Sequence, residues 1–421
     1  MFHSTEGNVM SSVLDDAAAG QGVEPHFQRV VSLPDETVVG YEALARWPGL
    51  RDVGPLDVFA RARVNGTLDA LDHHCVGSAA QAAMRGGATS GMLLLINVEP
   101  TTAALDPGAA AKVTAAAEEC HLVFELTERE LLTNPSALLR KVAALRAAGY
   151  SIALDDIGVH SDSLALLDLV APDILKLDMQ LVQNQPNRLQ ARTIAAVIAH
   201  HERTGATILA EGIETDEHLE QALAYGATLG QGYRFGHPGD LLVPPQGSYR
   251  PAHTAQSPLP ARASAFDLAA GGLTTRAVRK PTVLQLSRHI EHLAAVADSP
   301  PIVLAAVQEA KYFTGLTVDV YLGLAERSPL VAVLGGGASR APCPGVKWVS
   351  LDAGDPLLAE WGVVVLGPDM AAGLLARERP GAGLSPDGEK RFDMVMTFDR
   401  ARVTTAARCM LDRFPDRSEP N

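Results

Sequence analysis

Short apolar runs that each end on a polar, mostly acidic or amide residue recur through the first half of the chain, and this repeat limits the fold more than any other feature. The runs are Tyr41-Glu42-Ala43-Leu44-Ala45-Arg46, Leu93-Leu94-Leu95-Ile96-Asn97, Leu122-Val123-Phe124-Glu125, Ser151-Ile152-Ala153-Leu154-Asp155-Asp156, Asp173-Ile174-Leu175-Lys176, Thr207-Ile208-Leu209-Ala210-Glu211 and Thr228-Leu229-Gly230-Gln231. Segments such as Leu68 to Met84, Pro107 to Glu119 and Leu189 to Arg203 lie between them and carry apolar residues at helical spacing. Strands alternating with helices predict a parallel sheet covered by helices. An open doubly wound sheet gathers its ligand residues at one switch point. Here nearly every strand ends on one, as in a (β/α)8 barrel. Phe27 to Leu33 and Thr37 to Trp47 flank the turn-forming Pro34-Asp35-Glu36 and predict an antiparallel hairpin. The expected fold class is α/β: a modified (β/α)8 TIM-like barrel with one antiparallel strand, followed by a second, smaller α/β domain.

A chain of 421 residues is long for one domain and allows two cores. The pattern divides it into a leader at 1–22, the barrel at 23–240, a Pro/Ala/Ser-rich linker at 241–280, a second domain at 281–415 and a tail at 416–421. In the second domain, strands are expected at Ile302 to Val307, Leu330 to Leu334, Lys347 to Leu351, Gly362 to Leu366 and Phe392 to Thr397, and helices at Val283 to Ala297 and Arg402 to Phe414. Gly335-Gly336-Gly337 lacks the lysine and the spacing of a phosphate-binding loop and reads as a turn.

A net charge of -14 argues against a duplex nucleic-acid binder, whose affinity comes from cations neutralising phosphates. No apolar run is long enough to span a bilayer, and the first residues lack the basic-then-apolar pattern of a secretion signal. Cys75, Cys120, Cys343 and Cys409 are scattered without CxxC spacing, as free thiols of a reducing compartment would be. A cytoplasmic protein is expected.

Glu42, Asn97, Glu125, Asp155 and Asp156 together offer four carboxylates and an amide oxygen at strand ends. Hard oxygen donors suit Mg2+ or Mn2+ rather than zinc. A backbone that leaves strand geometry at Asp155-Asp156 would let neighbouring carboxylates reach two ions, the arrangement of a two-metal site. Lys176 and Glu211 supply a cation and a carboxylate to position and deprotonate a water, Arg46 a planar fork for phosphate, and Gln231 a hydrogen bond to water or substrate. A single acidic residue after a strand is ordinarily a helix cap or a solvated loop residue. Seven such positions in one barrel-length segment are poorly explained that way.

The segment from Val23 to Pro238 resembles the EAL domain, the family of cyclic di-GMP phosphodiesterases. The matching motifs are Glu42-Ala43-Leu44-Ala45-Arg46, Ile96-Asn97, Glu125-Leu126-Thr127-Glu128, Leu154-Asp155-Asp156, Leu175-Lys176-Leu177-Asp178, Ala210-Glu211-Gly212-Ile213-Glu214-Thr215 and Gln231-Gly232-Tyr233. The resemblance implies that Glu42, Asn97, Glu125 and Asp155 bind metal, with Asp155 and Asp156 serving a second ion. It implies that Lys176 and Glu211 handle the attacking water, that Arg46 contacts phosphate, that Gln231 lies beside the site and that Glu128 anchors the loop after Asp156. It also implies hydrolysis of cyclic di-GMP to linear pGpG and a homodimer. That loop departs from the family: Phe-Gly-Thr-Gly-Tyr-Ser-Ser-Leu is usual, and this chain has Ile157-Gly158-Val159-His160-Ser161-Asp162-Ser163-Leu164. A loop needing φ > 0 at position 160 is strained by His160. The alternative to a hydrolase is therefore a receptor that binds cyclic di-GMP without cutting it and signals through domain rearrangement. Residues 280–415 resemble the DICT domain through Pro281 to Glu291, Ala306 to Phe313 and Phe392 to Asp399, which implies signal input without specifying the signal.

Overall fold

The computed structural model describes residues 12–50, 53–102, 104–127, 132, 134–159, 161–240, 244–252, 259–260, 262–313, 315–337, 343–379 and 390–415. Two compact units result: one comprises 1–129, 141–161 and 172–254, and the other 130–140, 162–171 and 255–421.

The first unit is a closed eight-stranded barrel. Its strands are β1 (Glu24–Ser32), β2 (Thr37–Arg46), β3 (Met92–Asn97), β4 (Cys120–Thr127), β5 (Ser151–Ile157), β6 (Ile174–Leu177), β7 (Thr207–Ala210) and β8 (Leu229–Gly230). β1 runs antiparallel to both β2 and β8, and every other neighbouring pair is parallel. The antiparallel strand anticipated from the early hairpin is thus β1. Parallel strands are covered on both faces, and β3 is accordingly an unbroken apolar run buried along nearly its whole length. The intervening helices carry their own start and stop signals. Asn187 accepts from Leu189 and Gln190 backbone N–H groups, Gln190 caps the Asn187 N–H in return, and Gly205 at φ 75° ends the helix Arg188–Thr204.

Val30, Val39, Leu93, Leu95, Val123, Ala153, Ile174, Leu209 and Leu229 fill the barrel interior, drawn from all eight strands. Side chains alternate along a strand, so a residue two positions on faces the same way. On β3 to β6, and just beyond the ends of β7 and β8, that step leads from Leu95 to Asn97, Val123 to Glu125, Ala153 to Asp155, Ile174 to Lys176, Leu209 to Glu211 and Leu229 to Gln231. β2 breaks the rule, since Glu42 lies three residues beyond Val39. The β1–β2 register explains the exception: Val30 pairs with Gly40 and Val31 with Val38, leaving Val39 as an extra residue in a bulge that shifts the phase of β2 by one. Gly40 is required beside it, because a Cβ there would meet the Leu93 carbonyl oxygen at 2.1 Å.

Residues 12–18 of the expected leader are helical, and Ala17 and Ala18 are buried in a cluster with Trp47, Val58, Ala62 and Leu71. All four cysteines are free and buried. No helix among the described residues is long and apolar enough to cross a membrane.

The second unit contains a seven-stranded sheet in the order β12-β11-β10-β13-β14-β15-β9, from β9 (Arg276–Arg279), β10 (Ile302–Glu309), β11 (Val331–Gly336), β12 (Val346–Ser350), β13 (Glu360–Leu366), β14 (Ala371–Glu378) and β15 (Arg391–Thr397). β10, β11 and β12 are parallel, and the other pairings are antiparallel. Several elements of this unit were not anticipated. β14 reads Ala-Ala-Gly-Leu-Leu-Ala-Arg-Glu with no β-branched residue, and β9 has Val278 alone between charged ends, so the β-branched signal of a strand is weak in both. The helix Leu316–Ala325 holds Val, Thr and Gly, which weaken helical propensity. The stretch expected to be linker ends early, since Ala265–Ala270 is a helix and β9 joins the sheet.

Glu291, on the helix Lys280–Val296, sits within this core, and burial pushes its carboxyl up to about 7 against the pull of a Tyr321 hydrogen bond and Arg288. The folded state then holds a proton that the unfolded chain, with an ordinary value of 4.5, has released, so stability falls as pH rises between about 4.5 and about 7. Glu291→Gln should relieve on the order of 2 kcal/mol at pH 8. It should raise the melting temperature there and have little effect near pH 4.5. Calorimetry at the two pH values checks this, and equal shifts at both would contradict it.

Candidate active site

The phase relations of the strands bring the site together at the carboxyl ends of β2 to β8. Lys176 Nζ lies at the centre, 2.7 Å from Glu125 Oε1, 2.8 Å from Glu211 Oε1, 2.9 Å from Asp155 Oδ1 and 3.4 Å from Glu42 Oε2. Glu125 is fully buried and Lys176 is 1% exposed. Asn97 Nδ2 donates to Glu42 Oε1 and Gln231 Nε2 donates to Glu42 Oε2, both at 3.0 Å, so the two amides hold both oxygens of that carboxylate.

Asp156 has φ 58°, in the left-handed region, and the β5–β6 register shifts between Leu154 and Ile157. The backbone therefore leaves strand geometry at this residue, which turns two adjacent carboxylates toward one region. Oxygen atoms of Glu42, Glu125 and Asp155 lie within 4.8 Å of one another, and so do those of Asp155, Asp156 and Glu211. Asp155 belongs to both groups. Gly232, just after Gln231, is fixed by packing, since a Cβ there would meet the Ile213 carbonyl oxygen at 2.0 Å.

The electrostatics follow from one ammonium facing several acids in a dry site. Burial, together with Glu42, holds the Glu125 carboxyl well above the usual carboxylate range despite Lys176. Burial pushes Glu211 up to about 8, again against the pull of Lys176. At Glu42 burial is outweighed by Lys176 and by the Gln231 and Asn97 donors, so its carboxyl stays below the usual range. Burial also penalises the Lys176 ammonium, but Asp155, Glu125, Glu211 and Glu42 together raise its pKa well above that of an ordinary lysine. Both Glu125 oxygens and Asp155 Oδ1 lack an aligned hydrogen-bond donor, although Lys176 lies close to two of them as a charge. All-oxygen donors, excess negative charge and orphaned carboxylate atoms fit hard divalent cations.

Two cavities, of about 350 and 300 Å3, share Glu42, Leu44, Arg46 and Asp155 in their walls. The first continues past Asn97 and Asp156 to Leu56 and Phe59, and the second past Glu211 and Gln231 to Gln28, Met179 and Tyr233. The structure thus gathers Glu42, Arg46, Asn97, Glu125, Asp155, Asp156, Lys176, Glu211 and Gln231 in one place. Glu128 and His160 lie outside the described residues. Gln28 and Phe59 escaped the sequence reading. Gln28 was legible through the hairpin, because it pairs directly with Glu42, whereas Phe59 lies on a helix with no sequence link to the site.

A closed barrel with carboxylates converging at its strand ends defines a class of metal-dependent barrel proteins. Comparison with known proteins gives the family: the EAL-domain model matches residues 12–238, more than half of the chain, and the chain belongs to the EAL-domain family. A second model, DICT, described as a sensory domain in diguanylate cyclases and two-component systems, matches residues 265–379. Cyclic di-GMP phosphodiesterase NbdA of Pseudomonas aeruginosa is 30% identical over 254 residues, 58% of this chain and 32% of NbdA. Cyclic di-GMP phosphodiesterase RocR of the same species is 29% identical over 225 residues, 51% of this chain and 57% of RocR. The chain thus spans only about a third to just over half the length of these relatives. A solved manganese/cy-diGMP complex of Klebsiella pneumoniae BlrP1 is 28% identical, covering 52% of this chain and 57% of that one at a TM-score of 0.45.

Cations bound only by the folded site stabilise it by mass action. Mn2+ added to chelator-treated protein should raise the melting temperature by several degrees, and Glu125→Gln should abolish most of the gain. Thermal scans with and without Mn2+ test this, and an equal gain in both proteins would place the ion elsewhere.

Proposed function

We propose that the protein hydrolyses cyclic di-GMP to linear pGpG with Mg2+ or Mn2+. The observation that carries this reading is Asp155, shared between two clusters of carboxylate oxygens beside Arg46. Glu42, Asn97, Glu125 and Asp155 would hold one ion, and Asp155 with Asp156 the other. When bound, the ions lower the pKa of water and stabilise charge on a phosphoryl oxygen. Arg46 holds the phosphate through its planar fork. Glu211, with its pKa raised toward neutrality, takes the proton of the attacking water. Lys176 fixes Glu211, Glu125 and Asp155 about a single positive charge. The water oxygen bonds to phosphorus, the P–O3′ bond breaks, and the departing oxygen gains a proton, leaving a 5′-phosphate on the linear product.

The protein is proposed to act in the cytoplasm as a homodimer whose second unit regulates the barrel. The buried free thiols support a reducing compartment, and light scattering of the purified chain tests the dimer. The receptor reading keeps the same ligand and rests on the departure at Ile157 to Leu164.

Incubation with cyclic di-GMP and Mn2+ should yield pGpG. Glu211→Gln should slow it by roughly 100-fold or more, and Glu42→Ala should reduce it to background. Ligand binding with no more pGpG than the Glu42→Ala control, at any protein concentration tried, would leave the receptor reading standing. His160→Gly combined with Ser161→Tyr should raise turnover severalfold, and an unchanged rate would mean that the loop does not limit catalysis.

A further inference from the structure

The chain that follows Asn97 is tied down by a buried network to which no role has yet been given. Val98 N–H still belongs to the barrel ladder and donates to the Glu125 carbonyl at 3.0 Å. One residue on, Glu99 N–H donates to Asp72 Oδ1 at 3.0 Å, reaching across to the helix Leu68–Arg85. Thr102 Oγ1 donates to Asp72 Oδ2 at 2.6 Å and accepts from Lys141 Nζ at 2.8 Å, while Lys141 also donates to the Thr102 carbonyl at 3.2 Å. Lys141 Nζ stands 3.9 Å from Asp72 Oδ2, and Asp72, Thr102 and Lys141 are all buried.

A buried ion pair with a hydroxyl between its members is an expensive way to attach a loop, because apolar packing does so without desolvating charge. What the network adds is direction. It fixes the Glu99 N–H and the hydroxyl and carbonyl of Thr102, and so sets the course of the backbone within two residues of Asn97. The Asn97 carboxamide already gives its N–H to Glu42, which leaves Oδ1 as its acceptor. We propose that Asp72, Thr102 and Lys141 are positioning residues that hold Asn97 in the orientation a divalent cation requires, an inference that rests on the metal-dependent reading above. Asp72 also lines the cavity that holds Glu42, Asn97 and Asp155. The three residues act through the backbone of residues 98–102, in the manner of outer groups that orient a ligand.

The test uses the full chain freed of metal, with Thr102→Val and Thr102→Ser, both confirmed as folded by circular dichroism. Mn2+ affinity is measured by competition with a chelating indicator, and amide hydrogen exchange is followed in the peptide covering 97–102. Thr102→Val keeps the shape but not the hydroxyl; it should weaken Mn2+ binding about tenfold and speed exchange in that peptide. Thr102→Ser restores the hydroxyl and should return both within about twofold of wild type. Should Thr102→Val not fold, Lys141→Met removes the ammonium that donates to the Thr102 hydroxyl and carbonyl, and is read in the same way. Wild-type Mn2+ affinity in Thr102→Val, or equal losses in the Val and Ser variants, overturns the inference alone. A wild-type chain that takes up no Mn2+ overturns the hydrolase reading along with it.

Discussion

Everything at the mouth of the barrel depends on one buried ammonium serving four carboxylates. Lys176 sits within 3.4 Å of Glu42, Glu125, Asp155 and Glu211, and a single positive charge cannot neutralise them all in a dry site. Burial raises Glu125 and Glu211, and the neighbouring carboxylates add to it against the pull of Lys176, so both carboxyls tend to keep a proton. Added cations would let them ionise. The site is therefore built with a standing electrostatic deficit that favours cations, while the oxygen donors favour hard ones.

Order within the site comes from the strands rather than from contacts among the acids. Six of its side chains lie one alternation beyond an apolar interior residue, so a single layer of packing aims Asn97, Glu125, Asp155, Lys176, Glu211 and Gln231 together. Rigid supports of this kind hold catalytic geometry better than loops. Like the bulge at Val39, the left-handed backbone at Asp156 is a local departure. It lets two consecutive residues contribute to the same region, which regular strand geometry forbids.

Much of this was legible in the sequence, because burial on both faces makes parallel strands read as apolar runs and the polar residue that ends each run stands out against them. The barrel, its antiparallel strand and the convergence of Glu42 through Gln231 follow from that contrast. What the sequence hid were elements without it. β14 and β9 carry little β-branched character, and the helix Leu316–Ala325 is held by tertiary packing against its own propensities. Phe59 approaches the site only through helix packing, and Asp72 and Lys141 meet across 69 positions of sequence with no periodicity to connect them.

The bulge at Val39 makes the direction of Glu42 a matter of counting. Between the start of the hairpin and the acid, the number of residues decides whether that carboxylate points into the barrel or out toward the helices. Loss of the extra residue would leave every letter of Glu42-Ala43-Leu44 unchanged and still turn that carboxylate away from the cluster. In this chain the direction of the motif's acid therefore depends on the length of the strand leading to it as much as on its letters.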